Sequence, residues 1–254
     1  MHERIPPVRR QIVVPVAPAV AFDAWTTEIG LWWPTGTRHS VFGDGSAVKF
    51  VDGELVEEGA EGRAVWGSVL AWEPPELLRM TWHPGRPEGE HTDLSVRFTA
   101  VGDGAGTLVT LEHSGWERFP DPVGYRDDYR GGWLFVTGEY ERHVTATAVG
   151  GPLADGEVWL VLSHTPGTHA PAAGVFTHPD FRLHGEFIGR MAEEGVLVAA
   201  GPIAGTAGDG MTIVRVPAGR AAGYVRAAQE DGSVAAGLLD VRITAWNVRA
   251  TGLS

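Results

Sequence analysis

Hydrophobic and polar positions divide the chain into two different rhythms. Residues 9–16 (RRQIVVPV) are β-branched and alternating, which predicts a strand; residues 17–27 (APAVAFDAWTT) turn helical after Pro18, and a second short helical turn follows through 28–34. Strand-like runs then recur at 47–56, 62–72, 77–83, 92–99 and 108–114, each bounded by Gly, Pro or Asp. Tyr125, Tyr129, Trp133, Val136, Tyr140 and Val144 then recur at three- and four-residue steps, which predicts one long amphipathic helix over 124–145.

A second pattern follows the small, featureless stretch TATAVGGPLADG (145–156), which reads as a linker. Residues 157–164 predict a strand. Residues 177–195 predict a helix with Thr177 at its start, Pro179 in its first turn and Gly195 at its end. Strands at 196–203 and 210–216, a helix at 219–232 and a final strand at 238–248 complete a β-α-β-β-α-β order. The fold class is therefore α+β. An N-terminal domain (1–146) has one long helix closing over an antiparallel sheet, a linker spans 147–156, and a ferredoxin-like α/β sandwich (157–254) follows. Such a sandwich leaves one sheet face uncovered, which predicts a homodimer through the C-terminal domain or docking on the other domain.

Composition narrows the chemistry. The 254 residues include no cysteine, so disulfides, thiolate metal sites and cysteine nucleophiles are excluded, and any metal would need His, Asp or Glu. The net charge of −12 argues against nucleic-acid and anionic-membrane partners. No apolar run approaches the roughly 18 residues of a membrane span, and MHERIPPVRR has no signal core, so a cytoplasmic protein is expected. The turns GDGAG (102–106) and GTAGDG (205–210) do not join a strand to a helix, and no Gly-x-Ser-x-Gly elbow occurs. No cofactor is expected.

Eight of the ten tryptophans fall in the first 150 residues. Under a closing helix, Trp33, Phe42, Trp66, Trp82, Trp116 and Trp133 are candidates to line a hydrophobic cavity, with His39, His83, His113 and Tyr129 as interleaved polar groups. The same aromatics could equally be filling a core. No metal-binding spacing emerges: the turn HPGRPEGEH (83–91) reads as a solvated hairpin tip, and Glu57, Glu58 and Glu61 as a solvated strand edge.

In the second domain one residue breaks an apolar stripe. Phe181, His184, Phe187, Ile188 and Met191 share one helix face, so His184 points inward or into a crevice. A buried imidazole needs a partner, since an unpaired ring nitrogen costs roughly 1–3 kcal/mol. Either a backbone carbonyl or an acid from elsewhere serves, and Asp231 is the best such acid. A carboxylate there would fix the ring tautomer, as a general base requires. His164, His169 and His178 could line the same mouth, although each reads first as a surface residue.

Two resemblances sharpen this reading. RRQIVVPVAPAVAFDAWTTEIGLWWP, GSVLAWEPPELLRMTWHPG, LVTLEHSGW and YRGGWLFVTGEYERHV resemble the START-like, SRPBCC superfamily, in the branch named after the activator of the ninety-kilodalton heat-shock ATPase, over residues 8–146. This implies a helix-grip fold with a cavity for a hydrophobic small molecule. Some superfamily members carry ligands, whereas others act as cyclases or dehydratases. VWLVLSHTPG, HPDFRLHGEFIGRMAEEGVLVAAGPI and QEDGSVAAGLLDVRITAWNV resemble the YCII-related family over 157–249. That resemblance implies a dimeric ferredoxin-like domain with a His–Asp site, and it places His184 and Asp231 on the family's pair. The family's usual Asp-Pro is Asp231–Gly232 here, which leaves the turn less rigidly set. The expectation is a small-molecule lyase, isomerase or cyclase acting on an aromatic or polyketide-like compound; the alternative is a carrier, sensor or sequestering protein whose second domain serves dimerisation.

Overall fold

The computed structural model describes residues 5–148 and 156–250. The chain divides into two compact units, Met1–Gly151 and Pro152–Ser254. Most of the expected linker, 149–155, lies outside the described residues.

The first unit contains β1 (Val8–Val14), α1 (Pro18–Thr26), α2 (Ile29–Trp32), β2 (Ala47–Val51), β3 (Glu54–Gly59), β4 (Gly62–Glu73), β5 (Leu77–Trp82), β6 (Thr92–Val101), β7 (Gly106–Ser114) and α3 (Pro122–Thr147). Its strands make one antiparallel seven-stranded sheet in the order β1-β7-β6-β5-β4-β3-β2. Helix α3 begins where Pro122 occupies its first turn and the Asp121 carboxylate accepts the Gly124 N–H at 3.0 Å. It buries Trp133, Val136, Tyr140 and Val144 of the stripe that the sequence spacing predicts, whereas Tyr129 is half-buried and Tyr125, in the first turn, is exposed. The Tyr140 hydroxyl donates to the Ala21 carbonyl at 2.7 Å and so ties α3 to α1 inside the core.

Two features depart from the sequence reading. The run at 47–56 is not one strand, because Asp52 and Gly53 take φ of 52° and 78° and turn the chain into a β2–β3 hairpin. Asp-Gly at positive φ is the favoured two-residue hairpin loop. In β4, Leu55 pairs Gly67 while Val56 pairs Val65, so Trp66 is an extra residue, a bulge. The bulge turns Trp66 into the core, where it is fully buried. Next to it the backbones close tightly: a Cβ on Gly67 would lie 1.8 Å from the Thr81 carbonyl oxygen.

The second unit contains β8 (Glu157–Pro166), α4 (Phe181–Glu193), β9 (Leu197–Pro202), β10 (Gly210–Pro217), α5 (Ala221–Gln229), α6 (Gly232–Ala235) and β11 (Leu239–Ala245). The sheet order is β11-β8-β10-β9, with every pairing antiparallel. Strand β8 alternates, burying Val158, Leu160, Leu162 and His164 on one face. Helix α4 starts at Phe181 rather than near Thr177, and the chain before it forms turns. The short α6 was not expected from the sequence; it starts directly after Asp231. No helix among the described residues is long and apolar enough to cross a membrane.

Candidate functional sites

Within the first unit, the sheet and α3 enclose a cavity of about 290 Å³. Of the residues expected there, Trp33, Trp66, Trp82, Tyr129 and Trp133 line it. The indoles brace one another, with ring centroids 5.1 Å apart for both Trp33–Trp66 and Trp82–Trp133. Each such pair is worth about 0.5–1.5 kcal/mol beyond its buried area, so the wall is rigid. Arg38, His39, Ser40 and Asp128 add a polar side. Burial, with the Arg38 charge adding to it, holds the His39 imidazole below its usual pKa. Gly132 of α3 leaves room for it, since a Cβ there would sit 3.3 Å from the ring Nε2. The Tyr129 hydroxyl accepts a 3.3 Å hydrogen bond from Arg86. Burial raises its pKa, against the opposing influence of the Arg86 charge and the Trp82 N–H.

Phe42, His113 and Trp116 do not line the cavity. Phe42 lies against Gly59 on the loop before β2. Trp116 is fully buried and packs on the His113 ring at 4.3 Å. His113 is a saturated core histidine: the Trp133 indole N–H donates to its Nδ1 at 2.8 Å, and Thr92 Oγ1 lies 2.6 Å from its Nε2. Indole can only donate, so the ring proton sits on Nε2 and points to Thr92, whose hydroxyl donates to the Trp82 carbonyl. Burial, and secondarily the Arg86 charge, hold this imidazole well below its usual pKa. His83 is also buried, its Nδ1 set 3.1 Å from the Arg86 carbonyl.

Glu57 is the largest correction to the sequence reading in this unit. It is not a solvated edge but completely buried. Its carboxylate accepts the backbone N–H groups of Val41 (2.7 Å) and Phe42 (3.2 Å), the hydroxyls of Ser40 and Ser46, and the Trp66 indole N–H at 3.2 Å. Burial by itself pushes its pKa up. The hydrogen bonds from Ser40, Ser46, Val41 and Phe42 outweigh that and hold it below the usual carboxylate value. Ser40 and Val41, both anchored this way, line the cavity.

In the second unit, His184 and Asp231 come together. His184 Nδ1 lies 2.6 Å from Asp231 Oδ2. A carboxylate accepts, so Nδ1 carries the ring proton and Nε2 presents a lone pair. The Asp231 side chain is sealed from solvent, while 13% of the His184 side chain is exposed. The missing proline does not loosen this turn. Asp231 Oδ1 accepts the Ser233 N–H at 3.0 Å, capping α6. Ser233 Oγ donates to the Asp180 carbonyl at 2.6 Å and accepts the His184 N–H at 3.1 Å, which stitches α6 to the start of α4. Gly232 fits because Leu183 presses on it: a Cβ there would meet the Leu183 side chain at 2.8 Å.

His164 is not a surface residue. It continues the buried face of β8 at 2% exposure, and its ring centroid is 4.5 Å from that of His184. The signal for this was the alternation Val158, Leu160, Leu162, His164. His169 and His178 lie elsewhere, with His169 Nδ1 set against the Ala236 carbonyl at 2.9 Å and His178 Nδ1 accepting the Asp180 N–H at 3.2 Å.

Comparison with known proteins assigns part of the chain. Residues 15–134 match the family described as activator of Hsp90 ATPase homolog 1-like protein. This segment is an Hsp90-activator-like domain. Its large antiparallel sheet closed by α3 is of the helix-grip, SRPBCC kind. The activator-like domain accounts for the cavity-bearing unit; the match stops at residue 134 and does not reach the second unit. Among solved structures, the self-sacrificing resistance protein CalC from Micromonospora echinospora is similar at 20% identity, with a TM-score of 0.45, over 57% of this chain and 97% of CalC. The Aha1 dimer from Colwellia psychrerythraea is similar at 16% identity, with a TM-score of 0.37, over 54% of this chain and 95% of that one. An HSP90 activator from Plasmodium falciparum is similar at 17% identity, with a TM-score of 0.36, over 51% and 89%. No curated protein matches the chain.

Proposed function

We propose that the activator-like domain binds an apolar, aromatic or polyketide-like small molecule, and that the second unit performs proton transfer through His184. The reaction class is elimination, isomerisation or cyclisation, and it needs no redox cofactor. The observation that carries the reading is the 2.6 Å contact between a sealed Asp231 and a His184 side chain that keeps 13% of its surface exposed. Nε2 accepts a proton from an activated carbon of the substrate. Asp231 holds Nδ1–H and stabilises the imidazolium that forms, and the same ring then returns the proton to a leaving group or to a second carbon. We read the second unit as a YCII-related, ferredoxin-like domain; its β-α-β-β-α-β order and its His–Asp pair support this. In that reading a second copy of the chain covers the open sheet face, where Trp159 and Trp246 pack edge to face at 5.9 Å.

Native mass spectrometry of the purified chain, followed by quenching of the cavity tryptophans, identifies and quantifies the bound compound. Conversion is then followed by mass. The wild type should convert the compound, and His184→Ala should bind it with unchanged affinity while converting it about 10²–10⁴-fold more slowly. A compound that binds and persists unchanged with the wild type would leave a carrier and remove the proton-transfer reading.

A further inference from the structure

Among the described residues of the second unit, one buried polar side chain has no hydrogen-bond partner. Both ring nitrogens of His164 are buried and have no hydrogen-bond partner. Such orphaned groups cost about 1–3 kcal/mol and are retained where something else engages them. The ring faces His184, and ligand atoms of His164, His184 and Asp231 all lie within 4.8 Å of one another. Asp231 is sealed, and among the described residues no lysine or arginine bridges it. Buried carboxylates are paired with cations or bind metal ions, and among the described residues this one is met by the His184 imidazole and the Ser233 N–H.

We infer that His164, His184 and Asp231 form a binding site for a divalent first-row transition-metal ion. Two imidazole nitrogens and one carboxylate oxygen suit Zn²⁺ or Co²⁺ and disfavour Mg²⁺ and Ca²⁺, which take all-oxygen shells. Three protein ligands leave a coordination position open, on the side of His184, the exposed member of the set. Asp231 Oδ1 remains engaged by Ser233, which leaves Oδ2 as the ligand. Coordination through His184 Nδ1 puts the ion where the shared proton lies, and the ring proton moves from Nδ1 to Nε2. The gap between Nδ1 and Oδ2 has to widen by about 0.8 Å for tetrahedral bonds of ordinary length. The ion and the Nδ1–H···Asp231 contact are then alternative states of one site, so metal loading switches off proton abstraction at Nε2. The inference shares residues with the proton-transfer reading but does not depend on turnover.

Titration of the full, chelator-treated chain with Zn²⁺ in a calorimeter tests it, alongside His164→Phe and an exposed-histidine control, His91→Ala. The wild type and the control should show one saturable site, and His164→Phe should weaken it by more than about 100-fold, beyond the loss typical of an outer-shell partner. Nitrogen-15 spectra of the wild type should show His184 changing from the Nδ1–H to the Nε2–H tautomer as Zn²⁺ is added. This second readout stands even if His164→Phe folds poorly. Zn²⁺ binding that is absent, that survives His164→Phe in full, or that leaves the His184 tautomer unchanged overturns the metal site. A turnover assay without metal is unaffected by that failure, so the two readings fall separately.

Discussion

Asp231→Ala should cost the second unit about 2.5–4 kcal/mol of stability. The residue is completely buried and serves two elements. Its Oδ1 caps α6 through the Ser233 N–H, a contribution of about 1 kcal/mol. Its Oδ2 holds His184 Nδ1–H, and a hydrogen bond to a charged group contributes about 1.5–3 kcal/mol. Alanine leaves both donors without a partner, and one of them belongs to a ring that stacks on Phe187 and meets His164 edge to face. Hydrogen exchange over β8 and β10 reads the loss directly, because these central strands should open only with the whole unit. Asp231→Asn should lie between alanine and wild type, since its amide oxygen can still cap Ser233. A change below about 1 kcal/mol for alanine would mean that the carboxylate does not organise this region.

Glu57→Ala should destabilise the first unit by about 3–5 kcal/mol and release the loop that borders the cavity. Breaking a buried charged network by removing one partner has costs of that size. Here two backbone N–H groups, two serine hydroxyls and the Trp66 indole lose their acceptor together. Because Ser40 and Val41 line the cavity, ligand affinity should fall with stability. The pH dependence has a definite sign. The folded-state pKa of Glu57 is depressed below the usual 4.5, so its stabilisation is complete above that value and is lost as pH falls through the folded pKa. Denaturant titrations between neutral pH and pH 3 should show an acid-side loss in the wild type that is smaller in Glu57→Gln. Equal acid slopes for the two proteins would contradict the network.

Much of this architecture was legible because regular periodicity survives into the fold. The stripe from Trp133 to Val144 buries as its spacing predicts, and β6 and β8 alternate over most of their length as half-buried strands do. The failures occur where periodicity is interrupted. Glu57 reads as an edge residue because carboxylates usually face water. The bulge at Trp66 shifts the strand register and places Leu55, Val56 and Glu57 all out of solvent. No count of alternate positions anticipates three consecutive buried residues. The Asp52–Gly53 turn was legible in principle and was masked by the apolar run on either side of it. His184 attracted notice as a polar residue on an apolar helix face, whereas His164, at the end of a strand, looked like a boundary. His113 and Trp116 are aromatic and buried, as expected of cavity residues, but they lie behind the wall, and only coordinates separate a lining residue from a supporting one.

The account depends most on the imidazole of His184 being held in one tautomer by Asp231. Nitrogen-15 spectra of the metal-free chain, with the His184 ring assigned by comparison with His184→Gln, read that state directly. The proton should reside on Nδ1, strongly downfield and protected from exchange, and it should move upfield or vanish in Asp231→Asn. A His184 ring protonated on Nε2, or one that Asp231→Asn leaves unchanged, would contradict the account.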